Sequence, residues 1–202
     1  MSQMTRFEAG LQLGPSLSWL RGNKAIDGTD ALLGPAAGLS LQYNTSSVFG
    51  IRLGAGYQEK GYSSDVTFTD INGNTIGSGT VRYELHYLSI PLMLRFGFGE
   101  KVRVTAGAGG YAGVLMSGQL TSKGFDLADQ TVTDDFENLD LGICASIAGS
   151  FPLGAHFGLN TEVRYDKGLT NISALPVVDD GSIRTNAVSL LVGCSYRFGK
   201  AI

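Results

Sequence analysis

The sequence predicts an all-β protein, an eight-stranded antiparallel up-and-down transmembrane β-barrel, and three features carry that reading. Apolar and polar residues alternate with period two through eight successive segments, as strands with one apolar face require. The polar phase is dominated by small side chains, Gly, Ser, Ala and Gln. The connections between segments are alternately long and short.

The first strand, "FEAGLQLGPSL" (7–17), sets Phe7, Ala9, Leu11, Leu13 and Leu17 against Glu8, Gly10, Gln12, Gly14 and Ser16. The second (33–43) opposes Leu33, Ala37, Leu39, Leu41 and Tyr43 to Gly34, Ala36, Gly38, Ser40 and Gln42. The third (49–58) opposes Phe49, Ile51, Leu53, Ala55 and Tyr57 to Gly50, Arg52, Gly54, Gly56 and Gln58. In the fourth (88–96), Leu88, Ile90, Leu92, Leu94 and Phe96 lie opposite Ser89, Pro91, Met93 and Arg95. The preceding "VRYELHY" (81–87) is shifted in phase by one residue, which predicts a bulge or a strand continuing past the apolar band.

The fifth strand (102–111) alternates Val102, Val104, Ala106 and Ala108 with Arg103, Thr105, Gly107 and Gly109. The sixth (139–151) places Leu139, Leu141, Ile143, Ala145, Ile147 and Phe151 opposite Asp140, Gly142, Cys144, Ser146, Ala148 and Ser150. The seventh (157–165) sets Phe157, Leu159, Val163 and Tyr165 against Gly158, Asn160, Glu162 and Arg164, with Asp166 continuing the polar phase. The eighth (187–198) sets Val188, Leu190, Val192, Cys194, Tyr196 and Phe198 against Ser189, Leu191, Gly193, Ser195 and Arg197.

Short turns are expected near 44–48, 99–101 and 153–156, and long loops near 18–35, 63–80, 112–138 and 167–186. An even strand number with short turns at one end and long loops at the other suits an outer-membrane barrel, turns periplasmic and loops extracellular. With no linker, repeat or low-complexity tract, residues 1–202 read as a single barrel domain. The opening segment has no apolar core of the kind a signal peptide carries, so the chain reads as a mature one.

Which face is outward decides between a membrane barrel and a soluble one. An eight-stranded ring has an interior only just wide enough for side chains, so the small phase fits inside and the Leu-, Ile- and Phe-rich phase would overpack it. The apolar phase therefore faces lipid. Aromatics fall into two groups: Phe7, Tyr43, Phe49, Phe96, Phe98, Phe151, Phe157, Tyr196 and Phe198 towards the turn end, and Trp19, Tyr57, Tyr62, Tyr83, Tyr87, Tyr111, Phe136 and Tyr165 towards the loop end. Two such girdles are expected at the two membrane–water interfaces.

Composition agrees. Gly makes up 29 of 202 residues, about twice its usual share, and charged residues are 16% against a typical ~25%. A hydrophobic content of 43% excludes a disordered chain, and a net charge of −3 without a basic patch excludes nucleic acid as a partner.

The stretch "YLSIPLMLRFGFGEKVRVTAGAGGYAGVLMSG" (87–118) resembles the central hairpin of PorT-like outer-membrane β-barrel proteins, small barrels of the OmpA-like kind. The resemblance implies an outer-membrane location and a small closed barrel. The ending "CSYRF" is similar to the aromatic-ended signal by which barrel-assembly machinery recognises a last strand, with Tyr196 and Phe198 as its aromatics. The implied partners are outer-membrane lipid, that machinery during insertion, and a protein or surface partner at the loops.

The polar phase carries charges into the lumen: Glu8, Arg52, Arg95, Arg103, Asp140, Glu162, Arg164 and Arg197. Unpaired charges are costly in a narrow lumen, so these are expected to form an ion-pair network, with Glu8 brought towards Arg197 by adjacent first and last strands. No catalytic residue, cofactor or metal is expected. His86, Glu84 and Ser89 do not share one face, and His156 stands alone at a turn. Asp70, Asn72 and Asn74 have the spacing of a calcium loop, but Thr75 and Val81 replace its Gly and Glu. The acidic run 126–137 reads as a solvated loop, and Cys144 and Cys194 fall on opposite faces, which predicts no disulfide.

The expected role is non-enzymatic, structural or partner-binding through the loops; the alternatives are a narrow small-solute or ion transporter and a soluble lipocalin-like carrier with the faces reversed. Folded protein should need detergent and should change its gel mobility on boiling in SDS. Solubility without detergent, or mobility unaffected by boiling, would reverse the faces.

Overall fold

In the computed structural model, residues 5–24, 26, 28–99, 102–124, 128–176 and 181–201 are described. Eight long strands run β1 (Thr5–Arg21), β2 (Asp30–Asn44), β3 (Phe49–Thr69), β4 (Thr75–Phe98), β5 (Arg103–Lys123), β7 (Leu139–Leu153), β8 (Phe157–Gly168) and β9 (Arg184–Ala201), with a two-residue β6 (Gln130–Thr131) between β5 and β7. Each long strand pairs antiparallel with its chain neighbours, β5 pairs with β7, and β1 pairs with β9, so the sheet closes into a ring of eight. The short β6 lies against β5 through Gln119 and Leu120. Each long strand thus has a neighbour on both of its edges, the condition for crossing hydrocarbon with strands.

The faces follow the sequence phase. Leu13, Leu33, Leu39, Leu53, Leu92, Ile143, Ile147 and Leu159 point outward and are exposed, Leu39 to 65%. Glu162, Arg95, Asp140, Ser16 and Ser189 point inward and are buried. A carrier with an apolar interior would have the opposite arrangement, so the lipocalin-like alternative falls. Glycine serves the tight curvature where β1 meets β9: a Cβ on Gly14 would run into the Leu190 carbonyl, and one on Gly193 into the Leu11 carbonyl.

Strand ends depart furthest from expectation. Strands β3, β4 and β5 run to Thr69, from Thr75 and to Lys123, so much of the loops expected at 63–80 and 112–138 is sheet. Pairing of β2 with β3 stops at Asp30 and Ser63, whereas β3–β4 continues to Thr69 and Thr75; this hairpin stands above its neighbour. Its tip is tied by Asp70, whose Oδ1 accepts the Asn72 and Asn74 amides at 2.8 Å and whose Oδ2 accepts Asn74 Nδ2 at 3.0 Å. Those bonds, Asn74's first, hold the Asp70 carboxyl below its usual value. The expected connections also include residues 25, 27, 100–101, 125–127 and 177–180, which lie outside the described residues.

The phase shift within 81–87 marks a strand that continues past the apolar band, since β4 runs unbroken from Thr75 to Phe98. Odd residues of β4 point inward without a break through Leu85, Tyr87, Ser89, Met93 and Arg95, and Leu85 and Tyr87 are fully buried. The pattern inverts because the lumen itself becomes apolar towards the loop end. The irregularity lies on the partner strand, where the register passes from His86–Ser117 to Tyr87–Leu115 and leaves Met116 as the extra residue.

The turn-end aromatics form a chain of ring contacts, among them Phe7–Tyr43 at 5.2 Å, Phe7–Phe198 at 5.5 Å, Phe49–Phe96 at 5.0 Å and Phe157–Tyr196 at 5.2 Å. The loop-end girdle is smaller than expected. Trp19 stacks on Tyr165, but Tyr87 and Tyr111 are buried inside, and Tyr62 and Phe136 pack on the interior apolar cluster. Tyr83 stacks on Tyr62 at 4.7 Å.

In a bilayer, Leu159→Arg should lower unfolding stability by about 2–4 kcal/mol, and Asn160→Ser on the inward face by less. Equal losses in urea titrations of the two variants would contradict the phase assignment.

Candidate functional site

The inward residues stack in tiers along the barrel axis. At the turn-end mouth, Glu8 lies across from Arg197 in the β1–β9 register, Arg197 Nη2 donates to the Phe157 carbonyl at 2.8 Å, and Arg103 Nη2 donates to the Ser47 carbonyl at 2.8 Å. These three charges sit at the rim.

The next tier is built on Glu162, 4% exposed, whose Oε2 accepts Arg52 Nη1 at 2.5 Å and Arg95 Nη1 at 3.0 Å. Arg52 Nη2 also reaches Gln12 Oε1 at 2.6 Å, and Arg95 Nη1 reaches Ser146 Oγ at 3.3 Å. Strands β1, β3, β4, β7 and β8 are thereby joined across the ring rather than along its wall. Above it, Asp166 Oδ2 accepts Arg164 Nε at 3.2 Å and Gln58 Nε2 at 3.0 Å, while Gln58 touches the Ser16–Ser189 hydroxyl pair.

The uppermost charged tier is Lys60 with Asp140, both side chains fully buried, at 2.8 Å. Asp140 Oδ2 also accepts the Thr185 hydroxyl at 2.7 Å and the Tyr111 hydroxyl at 3.1 Å. Lys60 Nζ lies 4.3 Å from the Tyr111 ring centre and 5.4 Å from that of Tyr87, so the ammonium has a carboxylate and two aromatic faces. Over this tier Leu20, Ile26, Leu85, Tyr87, Leu115 and Ile172 form an apolar plug. Ile172 is carried in by the β8–β9 connection, which is clasped to the β5–β7 connection through Glu137 N–H to the Ile172 carbonyl at 2.8 Å.

Of the eight charges expected in the lumen, the structure brings Arg52, Arg95 and Glu162 together. Arg164 is instead paired with Asp166 and Asp140 with Lys60, while Glu8, Arg103 and Arg197 stay at the rim. Sequence reasoning missed Lys60, Tyr111 and Thr185, and it placed Gln12, Gln58 and Asp166 on the inward phase without assigning them to the charged network. Phase was the available signal: Gln58 and Lys60 continue the parity of Arg52, Asp166 that of Glu162, and Tyr111 that of Arg103 and Thr105. Among the described residues the lumen holds a cavity of about 30 Å³ beside Arg52, Met93 and Arg164 and one of about 40 Å³ beside Glu8, Arg95 and Arg103. Each has room for a few waters at most.

On the outer wall, Tyr57 Oη and His86 Nδ1 are 2.5 Å apart, and at the turn end His156 Nδ1 lies 3.1 Å from the Arg197 carbonyl. Cys144 is buried inward and Cys194 is exposed outward. Among the described residues, no His, Cys, Asp and Glu side chains group to hold a metal. Tyr196 and Phe198 lie outward at the turn end of β9, their rings 6.1 Å apart.

Residues 1–174 match the model of the family described as outer membrane protein beta-barrel domain. No curated protein sequence matches. Among solved structures, the chain is similar to Neisserial surface protein A (TM-score 0.53, 12% identity, covering 94% of this chain and 97% of that one). It is also similar to Escherichia coli outer membrane protein W (TM-score 0.51, 16% identity, 98% and 100% covered) and to OprG of Pseudomonas aeruginosa (TM-score 0.50, 16% identity, 99% and 100% covered). At these identities the likeness is one of fold.

Removing one partner of a buried pair leaves an uncompensated charge, so Lys60→Met should cost about 3–5 kcal/mol in a urea titration in lipid. The double variant K60M/D140N should recover part of that loss. A double variant as unstable as the sum of its single changes would show that the two side chains are not coupled.

Proposed function

The chain belongs to the outer membrane protein β-barrel domain family, and from that premise we propose that it is a non-enzymatic barrel with a structural or partner-binding role exercised at its loop end. Its place is the outer membrane. In this reading the short turns are periplasmic, the loops and the tall β3–β4 hairpin are extracellular, and Tyr196 and Phe198 mark the last strand for the assembly machinery. The finer likeness of 87–118 to PorT-like barrels belongs to the same proposal.

One observation carries the reading: the lumen is filled across its section. Among the described residues, the Glu162 cluster, the Lys60–Asp140 pair and the apolar plug follow one another along the axis, with cavities of about 30 and 40 Å³ beside the charged tiers. Eight strands enclose a space that side chains fill, whereas aqueous channels need many more strands. The ion pairs and hydrogen bonds that together tie five strands across the ring act as a rigid core, a role for which their burial is suited and in which transport would require each to break in turn.

Glu162→Leu tests this. It leaves Arg52 and Arg95 buried without their carboxylate and should lower stability by about 3–5 kcal/mol. In planar bilayers the variant should still show no measurable conductance. A stable variant that conducts would favour the transporter reading instead.

A further inference from the structure

The turn-end half of the lumen holds more positive charge than its carboxylates balance. Among the described residues lining the cavity of about 40 Å³, the guanidinium groups of Arg52, Arg95 and Arg103 face the two carboxylates of Glu8 and Glu162. Glu162 is already shared between Arg52 and Arg95, and the pair above, Arg164 with Asp166, is internally neutral. One positive charge is left over in a space too small for bulk water to screen it.

We propose that this cavity is a binding site for a small monovalent inorganic anion of the halide class. Arg95 supplies the second, independent observation. It is only 5% exposed, its Nη1 is committed to Glu162 and Ser146, and its buried Nε has no hydrogen-bond partner among the described residues. A buried guanidinium N–H without an acceptor is costly, and an anion supplies both an acceptor and the missing charge. Asn160 also lines the cavity, its Oδ1 likewise buried and unpartnered. Rotating that amide presents its NH2 group as a further donor.

The site is single-ended. Towards the loop end lie the Arg52–Glu162–Arg95 cluster and everything stacked on it, while towards the turn end, among the described residues, stand the rim charges Glu8, Arg103 and Arg197. An anion therefore enters from the turn end and acts as a counterion locked into the ion-pair core, which goes beyond the structural role proposed above and does not depend on what binds the loops. The cavity lining itself has a surplus of one charge, Arg197 standing outside it at the rim, and a monovalent ion balances that surplus where phosphate or sulfate would exceed it.

Bromide is the direct probe. Crystals of the full chain grown in bromide should show an anomalous peak among Arg52, Arg95 and Arg103. In solution, replacing gluconate by bromide at constant ionic strength should raise the unfolding midpoint in proportion to the logarithm of bromide concentration once the site fills. Arg103→Gln, a rim residue half open to solvent, removes the surplus charge and should abolish that dependence while the barrel still folds. No anomalous peak there, an equal rise with gluconate, a rise with phosphate but none with bromide, or an undiminished bromide effect in R103Q would each overturn the site. If R103Q does not fold, the anomalous peak in the unaltered protein decides alone.

Discussion

A strand that crosses hydrocarbon has no water to satisfy its amides, so each must be paired by another strand, and the sheet must close. In this chain closure comes from β1 pairing with β9 through a register that runs from Thr5–Ala201 to Arg21–Arg184. Everything else depends on that seam. A ring of eight has a fixed, narrow bore, and the bore dictates which side chains fit inside. Gly, Ser and Gln line it, Leu and Phe are expelled to the outer wall, and the distribution of a soluble protein is inverted.

A bore so narrow is a core rather than a channel, and it obeys the rules of cores. Carboxylates and guanidiniums inside it are hydrogen-bonded to one another and to Gln12, Ser146, Gln58 and Thr185 because an unpaired charge there would be prohibitively desolvated. The filling changes character along the axis. Charge dominates near the turns, a lysine held between a carboxylate and two tyrosines occupies the middle, and Leu, Ile and Tyr close the loop end. That apolar end needs a cover, and Ile172 with its clasp to the β5–β7 connection supplies it.

The same gradient explains where sequence reading succeeded and where it stopped. Wherever the lumen is polar, alternation is plain and every residue from Phe7 to Leu17, or from Phe157 to Tyr165, takes the side its parity assigns. Where Leu85, Tyr87 and Tyr111 turn inward, both faces of the strand are apolar or aromatic and the contrast disappears. Strand ends are lost there, a bulge and a continuing strand cannot be told apart from the shifted phase at 81–87, and buried tyrosines group with an interfacial girdle. Lys60 was missed for the same reason: it lies two residues beyond the point where the contrast fades.

What the sequence by itself determined is the ring and its two faces. Alternation is a local property, set by successive Cβ atoms pointing to opposite sides, and eight repetitions of it with alternating connections leave little freedom. What only the tertiary structure decided is who meets whom inside. Arg52 finds Glu162 across 110 residues of chain and Lys60 finds Asp140 across 80, and both contacts depend on how the strands are staggered around the ring. Parity states that a charge points inward. The height at which it arrives, and hence its partner, is set by the registers of all eight seams together, and no single segment contains that information.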